Sequence, residues 1–238
     1  MVKLMVLQSS EGFYTNGNII PIIDKNDKLY KNTHSLSDKL GLTLKEIIIL
    51  QKQISNLRKN WQVISNVTFS DLDDTLLSRI PQLVKDQFAM ARWPAWNEVV
   101  KSVWLNQFID KYYSKDLVVK EIIDKTNFIL TAWEVDIQEA KIQKAELDMF
   151  DTLIVPKHSL KPKELLYFIL FKLQKLPETI SIFDDRVGEL SEQLLSISEF
   201  LNNWIIAHKV LLDVDYPNQV KNISTDIFAS GENIKKAA

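Results

Sequence analysis

Three aspartates stand within four positions of NVTFSDLDDTLLSR, residues 66–79: Asp71, Asp73 and Asp74. The apolar residues Val67 and Phe69 lead into them, and Thr75 and two leucines follow at once. Carboxylates gathered where an apolar strand ends can serve as a nucleophile, as a proton shuttle or as ligands to a hard cation. They are costly neighbours for one another. Two unit charges ~4 Å apart interact by about 4 kcal/mol at an effective dielectric near 20, a large fraction of the ~5–15 kcal/mol that holds a typical domain together.

Comparable residues follow three further apolar runs. NFILT (127–131) ends in Thr131, DTLIVP (151–156) is followed by Lys157, Lys161 and Lys163, and TISIF (179–183) is followed by Asp184, Asp185 and Arg186. If these segments are parallel strands, their carboxyl ends share one edge of a sheet, where open α/β sheets bind ligands. At least four carboxylates then converge on one crevice, so either some are protonated or a cation lies among them. Oxygen donors without a nearby histidine or cysteine favour Mg²⁺.

The elements needed to position these groups are legible as periodicities. Strands are expected at 62–70, 127–131, 151–156, 179–183 and 205–214, each short and nearly all apolar. Helical patterns separate them, at 82–114, 116–125, 134–147, 162–175 and from Val187 to Leu201. Alternation of this kind predicts an α/β fold with a doubly wound, mostly parallel five-stranded sheet covered on both faces. Residues 1–60 read as an N-terminal extension of two or three short strands plus a helix over 35–58. Residues 61–215 form the main domain, with a helical insertion near 82–115, and residues 216–238 read as a polar tail.

Composition removes several classes of chemistry. No cysteine is present, which excludes disulfides, thiolate metal sites and cysteine nucleophiles. A formal net charge of −2 demands neither nucleic acid nor an anionic membrane. No apolar run reaches the ~18 residues of a membrane span, and the opening MVKLMVLQSSEG falls short of the ~7–15-residue core of a signal peptide. A cytoplasmic protein is the expectation.

Taken in order, the four strand ends resemble the haloacid dehalogenase (HAD) superfamily, chiefly its phosphatases. Asp71-Leu72-Asp73-Asp74-Thr75 matches the DxDxT motif, FILT with Thr131 the second motif, Lys161-Pro162 the third, with Lys163 the next choice, and SIFDD with Asp184 and Asp185 the fourth. The resemblance covers about residues 60–215. It implies that Asp71 attacks phosphorus to form an aspartyl-phosphate, and that Asp73 protonates the leaving oxygen and then deprotonates the hydrolytic water. It implies that Thr131 donates to the phosphoryl group and that Lys161 neutralises charge. Mg²⁺ would be held by Asp71, the Asp73 carbonyl and Asp184 or Asp185. Ala132-Trp133 follows Thr131 where family members often have glycine, which narrows the phosphate pocket. Large caps are absent, which favours a large phosphorylated substrate such as a protein or a nucleic-acid end, unless residues 1–60 act as a lid.

Thr75, Arg79, Lys163 and Arg186 are further candidates for substrate contact. The alternatives are a nucleic-acid end-processing phosphatase, or a non-catalytic nucleic-acid- or protein-binding module on the same scaffold. The second draws on the arginines and on the aromatic cluster Phe88, Trp93, Trp96, Trp104, Phe108, Tyr112 and Tyr113, whose plainer role is a helical core. His208 reads as structural, and His158 as a candidate substrate contact. An EF-hand reading of DLDDTLLSRIPQ fails, because Leu76 stands where glycine is required and Gln82 where the bidentate glutamate belongs.

Overall fold

A computed structural model describes residues 13–15, 18–20, 28–80, 83, 86, 105–213, 216 and 218–229. Of the aromatic cluster, Phe88, Trp93, Trp96 and Trp104 lie outside the described residues, as does Arg92. A short antiparallel hairpin joins β1 (Phe13–Thr15) to β2 (Asn18–Ile20). Helices α1 (Lys28–Leu40) and α2 (Leu44–Lys59) follow. A sheet then collects β3 (Val63–Ser70), β4 (Phe128–Ala132), β5 (Asp151–Val155), β6 (Leu176–Asp184), β7 (Trp204–Leu212) and β8 (Val220–Ala229). Between the strands run α3 (Leu105–Tyr112), the short α4 (Lys120–Ile123), α5 (Val135–Lys144), α6 (Lys161–Tyr167) and α7 (Ser191–Leu201).

The strand order is β5-β4-β3-β6-β7-β8, with every pair parallel except β7 and β8. From β3 the chain winds outward through β4 to β5, then crosses back to β6 on the other side of β3. The order therefore reverses at β3 and β6, and the crevice at their carboxyl ends is where an α/β sheet accepts a ligand. On one face, Val67, Phe69, Leu130, Ile180, Ile182 and Ile205 pack under α1, α2, α6 and α7. On the other, Ile129, Phe183 and Val210 share a core with α3, α4, α5 and the leucines Leu72, Leu76 and Leu77.

The expected sheet is present with one strand more than the sequence reading allowed. Val220–Ala229, read as polar tail, pairs along β7 as an antiparallel edge strand. A register shift opposite Leu211 and Leu212 puts Val220 out of phase with Ile223, Thr225 and Ile227, which breaks the alternation that marks a strand. The N-terminal reading also changes. Of residues 25–30, the candidate third strand, 25–27 lie outside the described residues and Lys28 to Tyr30 open α1. The helix expected over 35–58 is two helices, divided at Gly41, whose φ of +61° is open to glycine at little cost. Thr43 then caps α2: its Oγ1 accepts from the Glu46 N–H at 3.3 Å while Glu46 Oε2 accepts from the Thr43 N–H at 2.7 Å. Leu36, Ile47, Leu50, Ile54 and Leu57 are buried against the sheet, so these helices belong to one of its covering layers.

The helical pattern at 116–125 resolves into a 3₁₀ turn (Lys115–Leu117) and α4. The helix at 162–175 runs on from α6 as a π-helical stretch, Phe168–Leu173, before Gln174 closes it in a left-handed conformation. Among the described residues no helix is long and apolar enough to cross a membrane.

Candidate active site

Asp71 is the first residue beyond β3. Its N–H donates to the Phe183 carbonyl at 2.8 Å, which continues the β3–β6 ladder by one rung and seats Asp71 beside Asp184, the last residue of β6. The chain then turns tightly. Asp74 takes φ of 57°, a left-handed conformation that aspartate tolerates better than most residues, and its N–H donates to the Leu77 carbonyl at 3.0 Å. Leu76 and Leu77 donate back to the carbonyls of Asp71 and Leu72 at 3.2 and 2.8 Å. The leucines after the acidic run are fully buried. Their burial pins the turn, and the turn aims the acids.

At the centre lies Lys161, almost fully buried. Its Nζ is 2.8 Å from Asp71 Oδ2 and 2.7 Å from Asp184 Oδ2. Each carboxylate is fixed through its other oxygen, Asp71 Oδ1 by the Leu72 N–H and Asp184 Oδ1 by the Arg186 N–H, both at 2.7 Å. Thr75 Oγ1 accepts from the Asp185 N–H at 3.1 Å and so ties the two acidic loops together. Thr131, fully buried near the end of β4, is bonded through Oγ1 to Gln138 Nε2 at 2.9 Å.

Of these groups Asp71, Lys161, Asp185 and Arg186 line one cleft of about 430 Å³, shared with Asp73, Asp74, Tyr113, Trp133, Lys157 and His158. Such a volume suits a small-molecule ligand or the end of a larger one. No described residue before Asp71 lines it, and Leu36 of α1 and Ile47, Leu50, Ile54 and Leu57 of α2 pack into the core on one face of the sheet.

The electrostatics divide the carboxylates. Burial pushes Asp71 up to about 6; Lys161 pulls against this, and Asp184 and Asp73 add to it. Burial also raises Asp185, to about 7, helped by Asp71, Asp184 and Asp74. Asp73 goes the other way. Burial would raise it, but the Lys141 ammonium, Gln138 and Arg79 outweigh burial and hold it below the ordinary carboxylate range. Burial lowers the Lys161 amine, yet Asp71 and Asp184 together leave it above its usual value. Asp71, Asp184 and Asp185 outnumber the Lys161 ammonium bonded to two of them and the Arg186 guanidinium, which acts on Asp184 and Asp185 but pairs with Glu189, and a divalent cation would offset the remaining negative charge.

Ligand atoms of Asp71, His158 and Asp184 lie within 4.8 Å of one another. Their two carboxylates and the adjoining Asp185 offer hard oxygens suited to a divalent ion. The sequence reading gave His158 as a candidate substrate contact and not as a ligand beside the carboxylates. The fold brings His158 Nδ1 to 3.9 Å from Asp184 Oδ2, while its buried Nε2 has no hydrogen-bond partner. Burial and then Lys161 depress its pKa, so the ring is neutral and can act as a ligand.

Asp71, Asp73, Lys161, Asp185 and Arg186 thus share the cleft, with Thr131 and Asp184 just beneath it. Lys163 is not there. It points to Glu46 of α2, 3.2 Å away; Lys157 and Lys161 both line the cleft, and Lys161 is the one paired with Asp71 and Asp184. Thr75 is fully buried and braces the loops. Arg79 holds Asp74, with Nε to Oδ1 at 2.6 Å. Arg186 lines the cleft but pairs with Glu189. His208 stacks on Phe183 at 4.3 Å and bonds Thr225 at 3.0 Å, away from the cleft. Tyr112 and Phe108 are core, while Tyr113 also reaches the cleft wall.

Two residues escaped the sequence reading altogether, Gln138 and Lys141. Both are fully buried on α5, three positions apart. Lys141 Nζ lies 2.8 Å from both Asp73 oxygens. The two N–H groups of Gln138 Nε2 are shared among three acceptors, Asp73 Oδ2 at 3.1 Å, Thr131 Oγ1 at 2.9 Å and the Ala132 carbonyl at 3.1 Å. The available signal was a lysine and a glutamine on the inward side of an otherwise amphipathic helix. Trp133, where a narrowed pocket was expected, has φ of 154°, a region that normally belongs to glycine. Its N–H donates to the Val155 carbonyl at 2.9 Å, and its ring lies 4.6 Å from Lys141 Nζ.

No protein-family model matches the chain, no curated protein is similar to it, and no solved structure matches it.

Proposed function

We propose that this protein is a divalent-metal-dependent phosphohydrolase of the HAD type, acting on a phosphomonoester through an aspartyl-phosphate on Asp71, with Mg²⁺ as its cation. The observation that carries this reading is the Lys161 ammonium held between Asp71 and Asp184 at the floor of an open cleft. A carboxylate beside a fixed cation, with a hydroxyl donor close by, is what an in-line attack on phosphorus needs.

In the first step an Asp71 oxygen attacks phosphorus, and the bond to the leaving oxygen breaks with its electron pair. Thr131 donates to the phosphoryl oxygens, and Lys161 offsets their charge while steadying Asp71. In the second step a water oxygen attacks phosphorus, its proton passes to Asp73, and Asp71 departs as a carboxylate. Asp73 returns that proton to the leaving oxygen of the next cycle. Asp71, Asp184 and either Asp185 or His158 would hold a divalent cation, which would supply charge stabilisation for the phosphoryl group. Because Lys141 and Gln138 favour ionised Asp73, an aryl phosphate, whose leaving group needs no proton, is the substrate of choice for a first assay.

Turnover of p-nitrophenyl phosphate in Mg²⁺, lost on chelation and lost in Asp71→Asn, is the expected result. Absence of turnover on a broad panel of phosphoesters, or turnover that survives Asp71→Asn, overturns the reading. A nucleic-acid end as substrate is a second reading, favoured by Lys157, Arg186 and Trp133, which all line the cleft. It predicts a higher kcat/KM for a phosphorylated oligonucleotide than for the aryl ester, falling steeply with salt. A non-catalytic binding module predicts oligonucleotide or protein binding that Asp71→Asn leaves unchanged.

A further inference from the structure

We infer that Gln138 and Lys141 are positioning residues that clamp the Asp73 carboxylate and the Thr131 hydroxyl toward the phosphoryl group. This inference rests on the phosphohydrolase reading and adds to it two residues that no motif contains.

The argument is geometric. Asp73 and Thr131 sit at the ends of different strands, and no backbone hydrogen bond joins their side chains. Their relation is set by one helix. Positions 138 and 141 lie on the same face of α5, because residues three apart are neighbours on a helix surface. From that face Gln138 reaches both groups with one amide nitrogen, while Lys141 takes both Asp73 oxygens symmetrically.

The consequence for Thr131 follows from donor bookkeeping. The Gln138 NH₂ occupies one lone pair of Thr131 Oγ1, and an amide nitrogen cannot accept. The Thr131 O–H therefore has to donate elsewhere, and the phosphoryl oxygens are the acceptors the proposed reaction brings within reach. For Asp73, contacts of 2.8, 2.8 and 3.1 Å from two buried donors leave little rotational freedom. The clamp is itself braced: Lys141 Nζ stands 4.6 Å from the Trp133 ring centroid and 4.9 Å from that of Tyr113, so two aromatic walls and one carboxylate fix the ammonium. Burying a lysine and a glutamine completely is expensive, the more so because Gln138 Oε1 is buried without a hydrogen-bond partner. Both long side chains end in the site, where a purely structural helix face would carry leucine.

The hydrolytic half-reaction depends on this clamp most. There the water oxygen attacks phosphorus, the bond to Asp71 breaks with its electron pair returning to Asp71, and the water proton moves to Asp73. A swivelled Asp73 slows that step while leaving the attack of Asp71 on an aryl phosphate intact. The expected signature is a phosphoenzyme that accumulates.

The test uses the full chain with p-nitrophenyl phosphate and Mg²⁺, comparing the parent with Lys141→Met, Gln138→Met and Lys141→Arg. Methionine keeps the bulk of each side chain and removes its donors. Each methionine variant should lose about 10–100-fold in kcat, the scale of a misplaced catalytic group, with KM little changed. Acid-quenched samples should carry a larger phosphorylated fraction on Asp71 by mass spectrometry. Lys141→Arg, which can also meet both oxygens, should recover part of the rate. If Lys141→Met fails to fold, Gln138→Met decides. Wild-type rates and unchanged phosphoenzyme levels in a folded variant overturn the clamp while leaving the phosphohydrolase reading in place, provided the parent turns over and Asp71→Asn does not. A parent that neither turns over nor becomes phosphorylated overturns both.

Discussion

Asp185 offers a direct thermodynamic test of the claim that the cleft is built around a missing positive charge. In the fold its carboxyl ionises near 7, chiefly because it is buried and then because Asp71, Asp184 and Asp74 face it; its ordinary value is 3.8. A folded pKa above the unfolded one means that the native state binds more protons through this window. Stability is therefore present at low pH and lost as pH rises from about 4 to about 7. The full interval of about three pH units is worth about 4 kcal/mol, and partial exposure to water reduces it to about 2 kcal/mol. Asp185→Asn removes the charge and keeps the shape. Without metal at pH 8, the variant should therefore be the more stable protein by about 2 kcal/mol, or about 4–8 °C in midpoint for a chain of this length.

At pH 5 most of the native carboxyl is already neutral, and the gain should fall to less than half of that. Adding Mg²⁺ should raise the midpoint of the parent more than that of the variant, because the ion binds the native state and loses one of its oxygens. Thermal denaturation with chelator or with Mg²⁺, at both pH values, gives all the numbers. A variant less stable than its parent at pH 8 without metal, or a gain independent of pH, refutes the reasoning.

Other outcomes follow from the same geometry. Lys161→Met strands two buried carboxylates and should lower metal-free stability at neutral pH by about 3–5 kcal/mol, with partial recovery in Mg²⁺, both measurable by thermal melts. Thr43→Ala removes one half of the reciprocal cap on α2 and should cost about 1 kcal/mol in urea unfolding without changing the slope. Gly41→Ala meets no atom within 4 Å, so its cost is the left-handed backbone alone, about 1 kcal/mol in the same assay.

How much was legible depended on how local the signal was. The five apolar strands announced themselves, because a strand buried on both faces has to be apolar along its length. The acidic loop was visible for a related reason: like charges packed after an apolar run need an explanation, and few exist. Val220–Ala229 stayed hidden because the register shift scrambles its alternation, and only β7 alongside makes it a strand. The split of the first long helix turned on Gly41, which a helical pattern absorbs unless its φ is known.

The chain alone determined which chemistry is available: aspartates, a threonine and lysines at the ends of apolar runs, with no thiol anywhere. Those facts are local, since residue type and strand propensity travel with the segment. Tertiary structure decided which groups meet. It paired Lys161 with Asp71 and Asp184, turned Lys163 toward Glu46, brought His158 to the edge of the carboxylates, and set Gln138 and Lys141 against Asp73. None of these pairings has a spacing that the sequence marks, because each joins side chains whose distance is fixed by how helices pack on the sheet rather than by the chain between them.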